Sequence, residues 1–179
     1  MAEGFGRNPI PEKERYFTSR FRLKGEKTMN NPGAGKPVEI LLVEDNPGDV
    51  RLTKEALADG KIVNRIFAVG DGQEAMDFLH KTGKYAKAAR PDIILLDLNL
   101  PKKDGREVLQ EVKSDLKLKN IPIIVLTTSQ AEQDIAIAYE RHANCFVTKP
   151  VDFEQFISVV RSMENFWFSI VKLPPRGEN

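Results

Sequence analysis

The chain is short of soft side chains: one thiol, Cys145, and two imidazoles, His80 and His142, in 179 residues. A single cysteine excludes an internal disulfide and points to a reducing compartment. A surplus of charge of either sign is also missing, since 27 basic residues face 26 acidic ones. That balance gives no broad electrostatic reason to expect nucleic acid or an anionic membrane surface as a partner. No apolar run approaches the ~20 residues of a membrane span, and none follows the basic N-terminal stretch as a secretory signal requires. The cytoplasm is the expected location. What remains is a composition 41% apolar and 30% charged, which suits one globular domain plus a tail.

Residues 1–37 are rich in Gly, Pro, Asn, Lys and Arg without a sustained apolar period. They read as a disordered or non-core extension. "ERYFTSRFRL" within it could form a short amphipathic helix against a membrane or partner, but Glu12 and Glu14 break the basic face. Met29 offers a second start site. "GAGKP" at 33–37 puts Pro37 where a phosphate-binding loop needs Ser or Thr, and a strand follows rather than precedes it, so that match is accidental.

From Val38 the pattern becomes regular. "VEILLV" (38–43), "NRIFAV" (64–69), "PDIILLD" (91–97), "IPIIVLT" (121–127) and "NCFVT" (144–148) read as five strands. Between them lie stretches of helical period. Asn46 caps with Pro47 at the first helical position, and Asp71/Glu74, Ser129/Glu132 and Asp152/Gln155 have capping-box spacing. A further helix is expected over 105–115. Alternating strands and helices with near-continuously apolar strands predict an α/β fold, a doubly wound five-stranded parallel sheet with helices on both faces. The expected divisions are 1–37 as extension, 38–165 as domain and 166–179 as a C-terminal extension.

In such a sheet, ligands bind beyond the carboxyl ends of the strands. The first strand ends in Glu44-Asp45, the third in Asp97, the fourth in Thr127-Thr128 and the fifth in Lys149-Pro150. Each has a bland explanation: Asp45 as helix-start chemistry, Asp97 as a turn former, Thr127 as a strand residue, Lys149 as a solvated tip. Taken together they would be four coincidences at equivalent ends. Two carboxylates 4 Å apart repel by about 4 kcal/mol at an effective dielectric of 20, so three of them demand a cation. Oxygen ligands suit Mg²⁺, and a lysine and a hydroxyl opposite it would cradle a phosphoryl group. The histidines fall in or at the end of helical segments and read as structural.

"LLVEDN", "ILLDLNLPKKDG", "VLTTS" and "FVTKP" resemble the motifs of response-regulator receiver domains, over about residues 38–165. The stretches "LLDLNLPKKDGREVL" and "FWFSIVKLP" are most similar to the small single-domain regulators paired with cyanobacterial phytochromes. The resemblance implies the flavodoxin-like receiver fold and makes Asp97 the phosphoacceptor for a partner histidine kinase, possibly a phytochrome. It implies Mg²⁺ held by Glu44, Asp45, Asp97 and the carbonyl of Asn99, with Thr127 and Lys149 on the phosphoryl group. Phe146 takes the place of the aromatic switch, where Tyr is common, so a switch relying on that hydroxyl is in doubt.

A final helix is expected in "FEQFISVVRSMENFWFSIVKLPP", with Phe153, Phe156, Ile157, Val160 and Met163 near helical spacing. The cluster Phe166, Trp167 and Phe168 exceeds what one helix face buries. Some of it is expected to form a homodimer contact; the alternative is that it folds back over the parent sheet. Two rival functions stand beside the signalling module. One is a Mg²⁺-dependent aspartyl-phosphate phosphatase, against which position 99 is Asn rather than a general acid. The other is a docking protein that has lost phosphotransfer, against which the acid, hydroxyl and lysine set is intact.

Overall fold

The computed structural model describes residues 16–18 (backbone), 36–58, 60 and 62–175. In chain order the elements are β1 Tyr16–Thr18, β2 Val38–Val43, α1 Pro47–Ala58, β3 Asn64–Val69, α2 Gly72–Leu79, β4 Ile93–Leu96, α3 Gly105–Ser114, β5 Ile123–Thr127, α4 Glu132–Glu140, β6 Cys145–Thr148 and α5 Phe153–Glu164. The sheet order is β1-β3-β2-β4-β5-β6. The five strands from β2 to β6 are parallel, as the sequence predicts, with registers such as Val43↔Val69, Val43↔Leu96 and Thr127↔Thr148. β2 therefore sits at the point where the winding reverses, the place beside whose carboxyl end ligands bind in open sheets of this kind.

One strand was not expected. Tyr16–Thr18 pairs antiparallel with β3, Tyr16 opposite Phe67 and Thr18 opposite Arg65. These three residues of the N-terminal extension are extended, not helical, because the outer edge of β3 offers a row of unpaired N–H and C=O groups to a passing strand. The rest of 1–35 lies outside the described residues.

Alternation along each central strand builds two cores. Leu41, Val43, Ile94, Leu96, Ile123 and Val125 face α2, α3 and α4, meeting Phe78, Val108, Leu109 and Ala138. Ile40, Leu42, Ile93, Leu95, Ile124 and Leu126 face α1 and α5, meeting Val50, Leu57, Phe156 and Val160. Burial on both faces explains why these strands read as unbroken apolar runs. β4 and β5 begin two residues later than their apolar runs, each just after a proline, Pro91 and Pro122 with one residue between in the first case, since proline cannot donate to the ladder.

Three of the four predicted caps form. Asn46 Oδ1 accepts from Gly48 N at 2.8 Å, Asp71 Oδ1 from Glu74 N at 2.7 Å, and Asp152 Oδ1 from Gln155 N at 2.9 Å. Ser129 does not cap α4; Ala131 stands there without a side-chain bond. The Ser129 hydroxyl instead donates to Asp134 Oδ2 at 2.5 Å, a carboxylate that Arg106 also holds at 2.7 Å. A charged acceptor outcompetes backbone N–H groups for the hydroxyl. α3 carries a capping box that the sequence reading missed, with Asp104 accepting from the first turn and Glu107 from Asp104 N at 3.0 Å.

Candidate functional site

β2 delivers Glu44 to the carboxyl edge of the sheet, where its backbone N–H still donates to Val69 O at 3.0 Å. The Asn46 cap then turns the chain into α1, and Asn46 N donates to Glu44 Oε1 at 3.1 Å. β4 delivers Asp97, whose N–H donates to Val43 O at 3.0 Å and whose Oδ1 accepts from Asn99 N, also at 3.0 Å. β5 ends in Thr127, fully buried, its Oγ1 taking Ser129 N at 3.3 Å and Asn99 Nδ2 at 3.4 Å. β6 leads to Lys149, whose backbone N–H donates to Thr127 O at 2.7 Å.

The Lys149 ammonium closes the arrangement. Its Nζ donates to Asp97 Oδ2 at 2.6 Å, to Asp49 Oδ2 at 3.0 Å and to Glu44 Oε2. Residues 44, 97 and 149 are all more than nine-tenths buried. Asp97 is thus buried charged at the end of an apolar strand because the lysine compensates it; an unpaired carboxylate there would cost several kcal/mol.

Burial pushes the Glu44 carboxyl up to about 7; the attraction of Lys149 opposes that rise and the charge of Asp97 adds to it. For Lys149, burial disfavours the charged form, but attraction from Glu44 and Asp97 outweighs it and lifts the amine above its ordinary value. The lysine keeps its proton, and the Glu44 carboxyl titrates near neutrality.

Glu44, Asp49 and Asp97 place three acids beside one amine, with Asp45 next to Glu44 in the chain, a donor set of hard oxygens that fits a divalent cation. Among the described residues no three His, Cys, Asp or Glu side chains are already gathered as a metal cage. Lys149 already holds Glu44 and Asp97, so a metal ion entering here competes with the amine for them.

Asp45 is half-buried and adjacent to this cluster in sequence, and Phe146 is half-buried on β6, opposite Val125 and against the core beneath α3 and α4. The sequence reading missed Asp49; its signal was an acid one helical turn after Asp45, in the first turn of α1. It also missed the need for glycine at 105. A Cβ there would run into the Asp97 carbonyl oxygen and Leu98 Cα, so the helix can start against the loop that follows β4 only with no side chain. His80 and His142 lie away from the site, each at the end of a helix.

The terminal aromatics divide. They sit in a π-helical turn, Asn165–Ile170, that continues α5. Trp167 and Phe168 fold back against the core under α1 and α5, the alternative raised by the sequence, and Phe166 stays half exposed, stacked edge-on against Trp167 with ring centroids 5.7 Å apart.

Residues 40–161 match the response regulator receiver domain family. Response regulator Rcp1 of Synechocystis sp. is 48% identical over 138 residues, which cover 77% of this chain and 94% of that protein. Among solved structures, the phosphorylated cyanobacterial phytochrome response regulator RcpA is 51% identical with a TM-score of 0.76, covering 78% of this chain and 100% of its own. The Mn²⁺-bound form of Rcp1 is 47% identical, also with a TM-score of 0.76 and the same coverage.

Proposed function

Because the chain belongs to the response regulator receiver domain family, we propose that Asp97 accepts a phosphoryl group from a phosphohistidine on a partner kinase of the phytochrome type. The observation that carries this reading is the meeting of Lys149 Nζ with Asp97 Oδ2 at 2.6 Å, beside Glu44, at the carboxyl edge of the sheet.

A carboxylate oxygen of Asp97 forms the new P–O bond as the P–N bond to the kinase histidine breaks. Glu44, Asp45, Asp97 and the Asn99 carbonyl would hold a divalent cation, Mg²⁺ in the cytoplasm, which would neutralise charge on the phosphoryl oxygens. Lys149 already touches the attacking residue and passes from its carboxylate to a phosphoryl oxygen with little motion. Thr127 turns its hydroxyl from Asn99 to the same group. Such prepositioned donors supply most of the rate in phosphoryl transfer.

The output is a population shift. Moving a two-state protein from 1:99 to 99:1 takes about 5.5 kcal/mol, within reach of a few charge-assisted bonds from Thr127 and Lys149 to a new phosphate. Thr127 and Val125 share a strand face and Phe146 lies opposite Val125, so movement of Thr127 frees room for that ring to turn inward. Phe166, with Ile170 exposed on the same turn, serves as the homodimer contact.

The test is incubation with acetyl phosphate and Mg²⁺ beside the Asp97→Asn variant. An acid-stable, base-labile phosphate forms on the native chain alone; equal labelling of both would falsify the assignment.

A further inference from the structure

At the end of the sheet opposite Asp97, where α2 and α3 finish, the chain encloses a second groove. α2 closes with Lys81 N donating to Phe78 O at 3.2 Å and Thr82 N to Asp77 O at 2.9 Å. That pair of bonds places Lys81 just past the helix in the left-handed region, φ 57°, a position glycine commonly fills because a Cβ there is strained. Lys81, Arg90 and Lys117, with His80 and Asp115, surround a cavity of about 490 Å³ over Leu79 and Leu118, both more than nine-tenths buried.

The charges around this cavity do not balance. Asp115, its one carboxylate, is committed: Oδ1 accepts from Lys117 N at 2.7 Å, and Oδ2 lies 3.3 Å from His80 Nε2. Among the described residues none of the three cations has a carboxylate partner; Arg90 donates only to the Lys117 carbonyl, at 3.3 Å. Like charges converging on one concavity repel each other, and an anion placed between them relieves that repulsion. The apolar floor adds a reason for the ligand to carry a hydrophobic body. Strain retained at Lys81, where glycine would remove it, is the kind of outlier that marks a functional position.

We propose that this groove binds a small organic anion, an apolar body bearing a carboxylate or phosphate head, with the head between Lys81, Arg90 and Lys117 and the body over Leu79 and Leu118. The cavity is in the size range of small-molecule sites. It lies away from the phosphoryl chemistry, so binding here does not depend on Asp97.

Titration of 2-naphthoate and, in parallel, 2-naphthyl phosphate into the ¹⁵N-labelled full chain tests this. Amide shifts are expected at 79–81, 90 and 115–118, with affinity falling as salt rises, and the tighter head identifies the anion class. Neutral 2-naphthol binds more weakly. Lys81→Gly and Lys117→Gln each weaken binding by about threefold, as expected for partly exposed charge pairs. Lys81→Gly also leaves the melting temperature at or above that of the parent, so loss of binding cannot be put down to loss of fold. Equal binding of 2-naphthol and 2-naphthoate, shifts centred on 97, 127 and 149, or unchanged affinity in the Lys81→Gly/Lys117→Gln double variant would each overturn the proposal.

Discussion

Lys149 answers three carboxylates with one amine, and removal of that amine should be felt in both stability and chemistry. Lys149→Met leaves Glu44, Asp49 and Asp97 facing one another without compensation. Stranding buried charge in this way costs about 3 kcal/mol, so the urea midpoint at neutral pH should fall accordingly, and acetyl phosphate labelling should drop with it. Glu44 makes a second prediction. Its carboxyl titrates near 7 in the folded chain against an ordinary 4.5, so the folded state holds a proton that the unfolded state releases. The stability this gives is complete below 4.5 and is lost as pH rises through 7, by at most about 3 kcal/mol. Urea unfolding in metal-free buffer should show that loss between pH 5 and 8, and Glu44→Gln should flatten it. A native profile already flat over that range would contradict the burial argument.

At the scale of elements, α3 combines legible and illegible features. Its capping box was available in the sequence as Asp104 three residues before Glu107, and Asp104→Ala should cost about 1 kcal/mol, read as a lower urea midpoint with labelling of Asp97 preserved. The demand for glycine one residue later was not available, because it arises from Leu98 and the Asp97 carbonyl, which reach Gly105 only through the fold of the intervening loop. Gly105→Ala should therefore impair phosphorylation as well as stability, and the contrast between the two variants separates a helix-end effect from a site effect. Gly60 has a comparable constraint: a side chain there would occupy the space filled by the carboxylate of Glu164, at the end of α5. α2 offers a pH counterpart to Glu44. Although burial works against it, bonds from Lys84, Gly70 N and the Tyr85 hydroxyl hold Glu74 down at about 2. Its contribution is complete above 4.5 and vanishes as pH falls toward 2, and Glu74→Gln should reduce the acid sensitivity of unfolding in that window.

For the whole molecule, the two helical layers are joined to the sheet by side chains of opposite parity on the same strands. The C-terminal turn belongs to the α1/α5 layer, since Trp167 and Phe168 pack there. Trp167→Ala should thus destabilise the monomer by about 2 kcal/mol at protein concentrations where no dimer forms. A loss seen only at concentrations that support the dimer would assign Trp167 to the interface instead, leaving Phe166 without its distinct role.

The sequence by itself determined the five parallel strands, most helix starts and the set of acids, hydroxyl and lysine at the strand ends, because periodicity and capping are local and a parallel sheet brings equivalent ends to one rim. It could not show that Asp49 joins that set, that Ser129 abandons its cap for Asp134, that Tyr16–Thr18 pairs with the edge of β3, or that Lys81, Arg90 and Lys117 gather around Leu79 and Leu118. Each of these depends on groups far apart in the chain competing for the same partner or the same space, and only the packed structure decides which of them wins.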